Sequence, residues 1–170
     1  MKRIGESVNR ESLNRESRQD EKIARRSSTF EDLQVYEVAR EFRKPMYQVA
    51  RKLPEEEKFG LASQIRRAAV SLTNNIAEGH GRSHFLDQIR FTLQSRGSLE
   101  ELLDDLNVCE DEQYLVGEEI TSLKKNGWRV RQLIDGYVRY LRQQNADSKS
   151  LVREASPSYD DDTDDSPFSM

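Results

Sequence analysis

Cysteine occurs once in this chain of 170 residues, tryptophan once and proline four times. The lone Cys109 excludes an internal disulfide. No apolar run reaches 18 residues and no apolar stretch follows the first residues, so neither a membrane span nor a secretory leader is expected. The expectation is a reduced, cytoplasmic protein. Apolar material is scarce throughout: the AVILMFWYC group supplies 35% of residues, almost matched by 34% charged ones. That share is below the norm for a globular domain, so part of the chain should lie outside the fold.

Charge of both signs is abundant, with 27 Lys+Arg against 31 Asp+Glu and a net charge of -4. It is unevenly spread. Residues 1–29 hold eight bases and five acids with too little apolar material for a core, and read as a disordered charged N-terminal tail. Within them Asn9-Arg10-Glu11-Ser12 recurs at Asn14-Arg15-Glu16-Ser17, a period of five that fits neither a heptad nor a solenoid. Residues 145–170 hold seven acids and two bases, with Pro157 and Pro167 against regular helix, and read as a disordered acidic C-terminal tail. Residues 30–144 are left as one nearly neutral domain.

Inside that domain four helical patterns occur and no sustained period-two alternation, so the expected fold is all-α. The first runs over about 31–53, with Val35, Ala39, Phe42, Met46, Val49 and Leu53 at 4-3-4-3-4 spacing, Ser28 or Thr29 as cap, and a kink at Pro45. The second runs from Pro54, a favoured first-turn residue followed by three acids, to Glu78, where Gly79 and Gly81 stop it. Its apolar side is Leu61, Ile65, Ala68, Ala69, Leu72 and Ile76.

The third covers about 83–110. Its stripe begins as Leu86, Ile89, Leu93 and Gly97, then shifts to Leu99, Leu102, Leu103 and Leu106, a rotation of about 240° at 100° per residue. Such a helix is expected to be buried on more than one side, one of them against another subunit. The fourth, about 116–144, keeps a bundle seam from Val116 through Ile120, Leu123, Gly127, Val130, Ile134 and Tyr137 to Leu141. Four amphipathic helices with short links pack most simply as an antiparallel up-down-up-down bundle. Rods of this length have much surface for their volume, so a homo-oligomer is expected.

The stretch from Gly60 to Gly79, GLASQIRRAAVSLTNNIAEG, resembles the signature of four-helix-bundle proteins encoded in intervening sequences of 23S ribosomal RNA genes. Phe30-x-x-Leu33-x-Val35-Tyr36, Leu53-Pro54, Gly97-Ser98-Leu99-x-Glu101 and Tyr114-Leu115 resemble the same family, and the likeness covers residues 30–144. It implies an antiparallel four-helix protomer assembling as a ring-like homopentamer. It also brings in the related accessory proteins of diversity-generating retroelements, which bind a reverse transcriptase and nucleic acid through a basic surface. This chain differs in Tyr36 where Trp is common, in Pro45, and in its acidic balance.

On the second helix Gln64, Arg67, Ser71, Asn75 and Glu78 fall within about 80° of one another, beside the apolar stripe. Such a row is either a solvated face or a hydrogen-bonded seam at a helix or subunit boundary, where Glu78 can accept from Arg67 of a neighbour. The turn from Gly79 to His84 puts two His four apart, as in metal-binding helices, but its glycines interrupt the helix, and a polar turn or a phosphate cradle with Arg82 fits as well.

No Glu-x-x-His pair, G-x-S-x-G elbow, P-loop or dinucleotide fingerprint occurs, and Cys109 reads as a small core residue. The expectation is a non-enzyme with no cofactor, metal or small-molecule substrate. For nucleic acid the candidates are Lys124, Lys125, Arg129, Arg131, Arg139 and Arg142 on the fourth helix, with Arg66 on the second and Arg82 after it. Repeated around an oligomer, these bases would bind RNA or DNA backbone, or an enzyme working on it, with strong salt dependence. The contrasting expectation is a structural or protein-binding scaffold on which these bases serve solubility.

Overall fold

A computed structural model describes residues 29–155, with side chains through Leu151. Four helices make up the fold: α1 (Gln34–Lys52), α2 (Leu61–His80), α3 (Phe85–Asp111) and α4 (Gly117–Ala155), and no strand occurs among the described residues. α1 packs on α2, α2 on α3, α3 on α4, and α4 returns to α1, so the helices close an antiparallel up-down-up-down bundle. Most of the seam residues read from the sequence fill its centre, but Val116, read as the first of the α4 seam, lies in the loop before the helix and is 70% exposed. Met46, Ile65, Leu72, Leu99, Leu106 and Ile134 have essentially no exposed surface.

Several boundaries differ from the sequence reading, each for a local reason. Glu31 and Asp32 belong to a separate 3-10 turn (Phe30–Asp32), where the Thr29 amide donates to the Asp32 carboxylate at 2.7 Å. α2 starts at Leu61 rather than Pro54. The three acids form their own 3-10 turn (Glu55–Glu57), and the Glu57 carboxylate accepts the Leu61 amide at 2.9 Å, capping α2 from outside. Gly79 lies inside α2, which ends one residue later at His80. A Cβ at position 79 would stand 3.0 Å from the Phe91 Cβ and 3.3 Å from the Gln88 carbonyl oxygen, so this glycine lets α2 approach α3.

α1 continues across Pro45 to Lys52, because the missing amide costs one bond in a helix already held by its buried seam. α4 continues to Ala155, eleven residues beyond Gln144, since the first helix breaker after that point is Pro157. The expected tails otherwise lie outside the described residues, at 1–28 and 156–170.

The two-sidedness of α3 has a source within the chain: it is packed by α2 on one side and α4 on the other. Its buried stripe does not change phase at Gly97-Ser98. It runs through Ile89, Thr92, Ser95, Leu99, Leu102 and Leu106, while Gly97 is exposed and Leu86 keeps 61% of its surface. Small hydroxyl residues occupy apolar positions here because each finds an acceptor. Thr92 donates to the Gln88 carbonyl at 2.7 Å, and Ser95 reaches across to the Leu72 carbonyl at 2.6 Å. α3 ends on Gln113, held at φ 56° in the left-handed region, and the Tyr114 hydroxyl ties this turn to Glu57 at 3.3 Å.

Candidate nucleic-acid interface

The row Gln64, Arg67, Ser71, Asn75 and Glu78 does not act as one unit. Gln64 and Ser71 are half-buried and face α3: the Gln64 amide donates to Asp105 Oδ1 at 3.0 Å, and Ser98 donates to the Ser71 hydroxyl at 2.8 Å. Asn75 turns back on its own helix, donating to the Ser71 carbonyl at 2.8 Å and hydroxyl at 3.0 Å. Glu78 pairs with Arg82 one turn on, and the Arg82 guanidinium lies 4.7 Å from the centre of the Phe91 ring. Arg67 is exposed.

Asp105 is the most constrained polar group of this interface. It is 2% exposed, and its Oδ2 has no hydrogen-bond partner among the described residues. Burial pushes its carboxyl up to about 7, helped by the nearby charges of Glu101 and Asp104 and opposed by the Gln64 hydrogen bond. Burial likewise pushes the Cys109 thiol, one turn further along α3, up to about 11. Among the described residues no group of three or more His, Cys, Asp or Glu could hold a metal ion.

The candidate cations divide by what they touch. Arg66 donates to the Ala50 carbonyl at 3.3 Å and the Lys58 carbonyl at 3.1 Å, satisfying the end of α1 and the loop after it. Lys124 pairs with Glu110 at 2.6 Å, and Arg131 pairs with Glu100 and, at 3.1 Å, with Asp135. Arg82 is taken by Glu78. By contrast Lys125, Arg129, Arg139 and Arg142 are exposed, and none has an ion pair with a described acid. On the helical wheel Lys125, Arg129 and Arg139 lie on the side of α4 turned away from the seam, and Arg142 on its flank.

Two features escaped the sequence reading. One is Trp128, which lines a shallow groove with Thr121, Lys124, Lys125, Arg129 and Gln132 while 51% exposed. Its position beside the seam glycine Gly127 and between cations three and four residues away was the available signal. The other is a second basic groove between α1 and α2, where Arg43, Lys44 and Arg51 join Arg66 and Arg67 around Tyr47, with no acid among the lining residues. Only the bundle geometry joins those two helices' bases. A further apolar groove runs between α4 and the start of α1, from Leu33 and Val35 to Gly136 and Tyr140.

The sequence profile of the 23S rRNA-intervening sequence protein family matches residues 31–136. Among solved structures, a protein of unknown function from the S23 ribosomal protein family of Bacteroides thetaiotaomicron is similar, with a TM-score of 0.57 and 20% identity. The match covers 61% of this chain and 97% of that one, and at this identity it speaks for the fold alone. No curated protein matches the chain.

Proposed function

From the premise that this chain belongs to the 23S rRNA-intervening sequence protein family, we propose that it is a non-catalytic, self-associating helical-bundle interaction module. Its partner is RNA or DNA, or an enzyme that acts on them, engaged through basic residues of α2 and α4. The observation that carries this reading is the set of four exposed cations on α4, Lys125, Arg129, Arg139 and Arg142, with no described acid to neutralise them. Bases kept for stability or solubility are commonly interspersed with acids, as Lys124 and Arg131 are here. Arg66 and Arg67 add to the reading from the α1/α2 groove.

Self-association is supported by large apolar side chains left in water. Phe59 is 87% and Val116 70% exposed, both in loops at the same end of the bundle, and Leu86 stands at the other. The same residues favour a second reading, a structural or protein-binding oligomeric scaffold that touches no nucleic acid. A gel shift of a labelled RNA pool separates the two. The module reading expects a shift at low salt that Lys125→Glu with Arg129→Glu strongly weakens while light-scattering mass stays unchanged. A wild-type chain that self-associates and never shifts RNA would leave the scaffold.

A further inference from the structure

We infer that the outer face of α4 takes unpaired nucleotides, with Trp128 as the platform on which a base stacks and Lys125 and Arg129 as the cations that hold the flanking phosphates. The inference rests on the nucleic-acid reading above and adds the strand type.

An indole is costly to leave in water, yet Trp128 is half exposed on a face the bundle does not cover. Lys124, Lys125 and Arg129 stand within one turn of it. Among the described residues none of these cations is stacked on the ring, although Lys58 and Arg82 do lie over Phe59 and Phe91. The indole face is therefore open to a ligand. Lys124 is held by Glu110, which leaves Lys125 and Arg129 for the phosphates.

Stacking on an indole needs the flat face of a base. In a duplex every internal base already has both faces stacked and offers only its edges, so this aromatic rewards an unpaired strand and the cations alone do not. Eight residues along α4, Gly136 opens a second subsite. It has no side chain, the Arg139 guanidinium lies 3.8 Å from where a Cβ would stand, and Tyr140 beside it is more than half exposed. The two subsites are about 12 Å apart at 1.5 Å per residue, a length that three to four nucleotides stacked at about 3.4 Å span. On the helical wheel Glu118 and Asp147 lie in the same sector at the two ends of the stripe, and the one acid within it, Asp135, is paired with Arg96 and Arg131.

Trp128 is the sole tryptophan, so the full-length wild-type chain carries its own reporter. The test titrates it with a 12-nucleotide oligouridylate, a hairpin duplex of equal charge, inorganic polyphosphate and an oligoglutamate, following both indole emission and the anisotropy of labelled ligand. The expected result is quenching by oligouridylate that saturates with the anisotropy change, with no quenching by polyphosphate or oligoglutamate. Trp128→Ala should then weaken oligouridylate binding about 5- to 150-fold and change duplex binding less than about twofold, while Trp128→Phe keeps most of the affinity.

Oligouridylate binding without quenching, or an equal loss on single strand and duplex in Trp128→Ala, overturns the inference and leaves the electrostatic module standing. Tight oligoglutamate binding with quenching reassigns the face to acidic peptides. Emission that shifts on dilution of the protein alone places Trp128 between copies of the chain and also overturns it. Binding of none of the ligands removes the nucleic-acid reading itself.

Discussion

Neutralising Asp105 should stabilise this bundle at alkaline pH and leave it unchanged, or slightly weaker, in acid. The Asp105 carboxyl is 2% exposed, receives one hydrogen bond from Gln64, and has an unpartnered Oδ2. Burial and two acidic neighbours raise it from 3.8 to about 7. A carboxyl raised on folding keeps its proton where the unfolded chain has lost it, so its penalty is absent below the unfolded value. The penalty grows as pH climbs from about 4 and is complete above about 7. A gap of about three pH units corresponds to about 4 kcal/mol at 1.36 kcal/mol per unit.

Asp105→Asn retains the acceptor for Gln64 and removes the charge, but its amide gains no acceptor, which costs about 1 to 3 kcal/mol at every pH. The variant should therefore exceed wild type by about 1 to 3 kcal/mol at pH 8.5 and come within about 1 kcal/mol of it at pH 5, where only about a third of the penalty has built up. For a domain of this size that is about 3 to 10 °C in Tm at pH 8.5. Urea titrations of both chains from pH 5 to 8.5, compared as a difference, cancel the titrating groups that do not interact with Asp105. A difference that stays flat, or that turns against the variant as pH rises, would refute the reasoning.

Glycine substitutions should split by what a methyl group meets. At Gly127 a Cβ would stand 2.6 Å from Leu103 Cδ2 and 3.3 Å from Phe42 Cζ, so Gly127→Ala should destabilise by about 1 to 3 kcal/mol despite better helix propensity. Gly97 has nothing within 4 Å, and Gly97→Ala should stabilise by about 0.5 to 1 kcal/mol, both read from thermal melts. Cys109, buried with its thiol pushed up to about 11, should not react with a thiol reagent at pH 8 until urea unfolds the chain. Arg131→Gln breaks pairs with Glu100 and Asp135 and should cost about 1 kcal/mol of stability, with less effect on RNA affinity than Arg129→Gln.

The fold was legible where a strict heptad stayed within a helix, and was misread at Val116, whose heptad position falls in the loop before α4. All six α1 seam residues and all six on α2 are buried, because each is a large or small apolar side chain at an unbroken 3.6-residue period. α3 was misread where polarity and burial part company. Thr92, Ser95 and Ser98 are buried polar residues whose hydroxyls are satisfied by α2 or by their own helix, so a pattern of apolar letters moved the stripe to Leu86 and Gly97 instead. Helix starts were misplaced where an acid caps from outside, as Glu57 does for α2. At the candidate site the sequence named the cations without their partners. It could not say that Lys124 and Arg131 are engaged across to α3 while Lys125 and Arg129 are not, since that depends on which helices are neighbours.

The salt dependence of RNA affinity, measured by anisotropy on the full-length chain between 50 and 200 mM salt, tests the module reading most directly. With Lys125, Arg129, Arg139 and Arg142 contacting phosphates of a single strand, the slope of log affinity against log salt should be about -2.8, a loss of about 50-fold over that range. Lys125→Glu with Arg129→Glu should flatten it to about half or less. Affinity that is absent at 50 mM, or that is unmoved by both salt and charge reversal, would contradict the account.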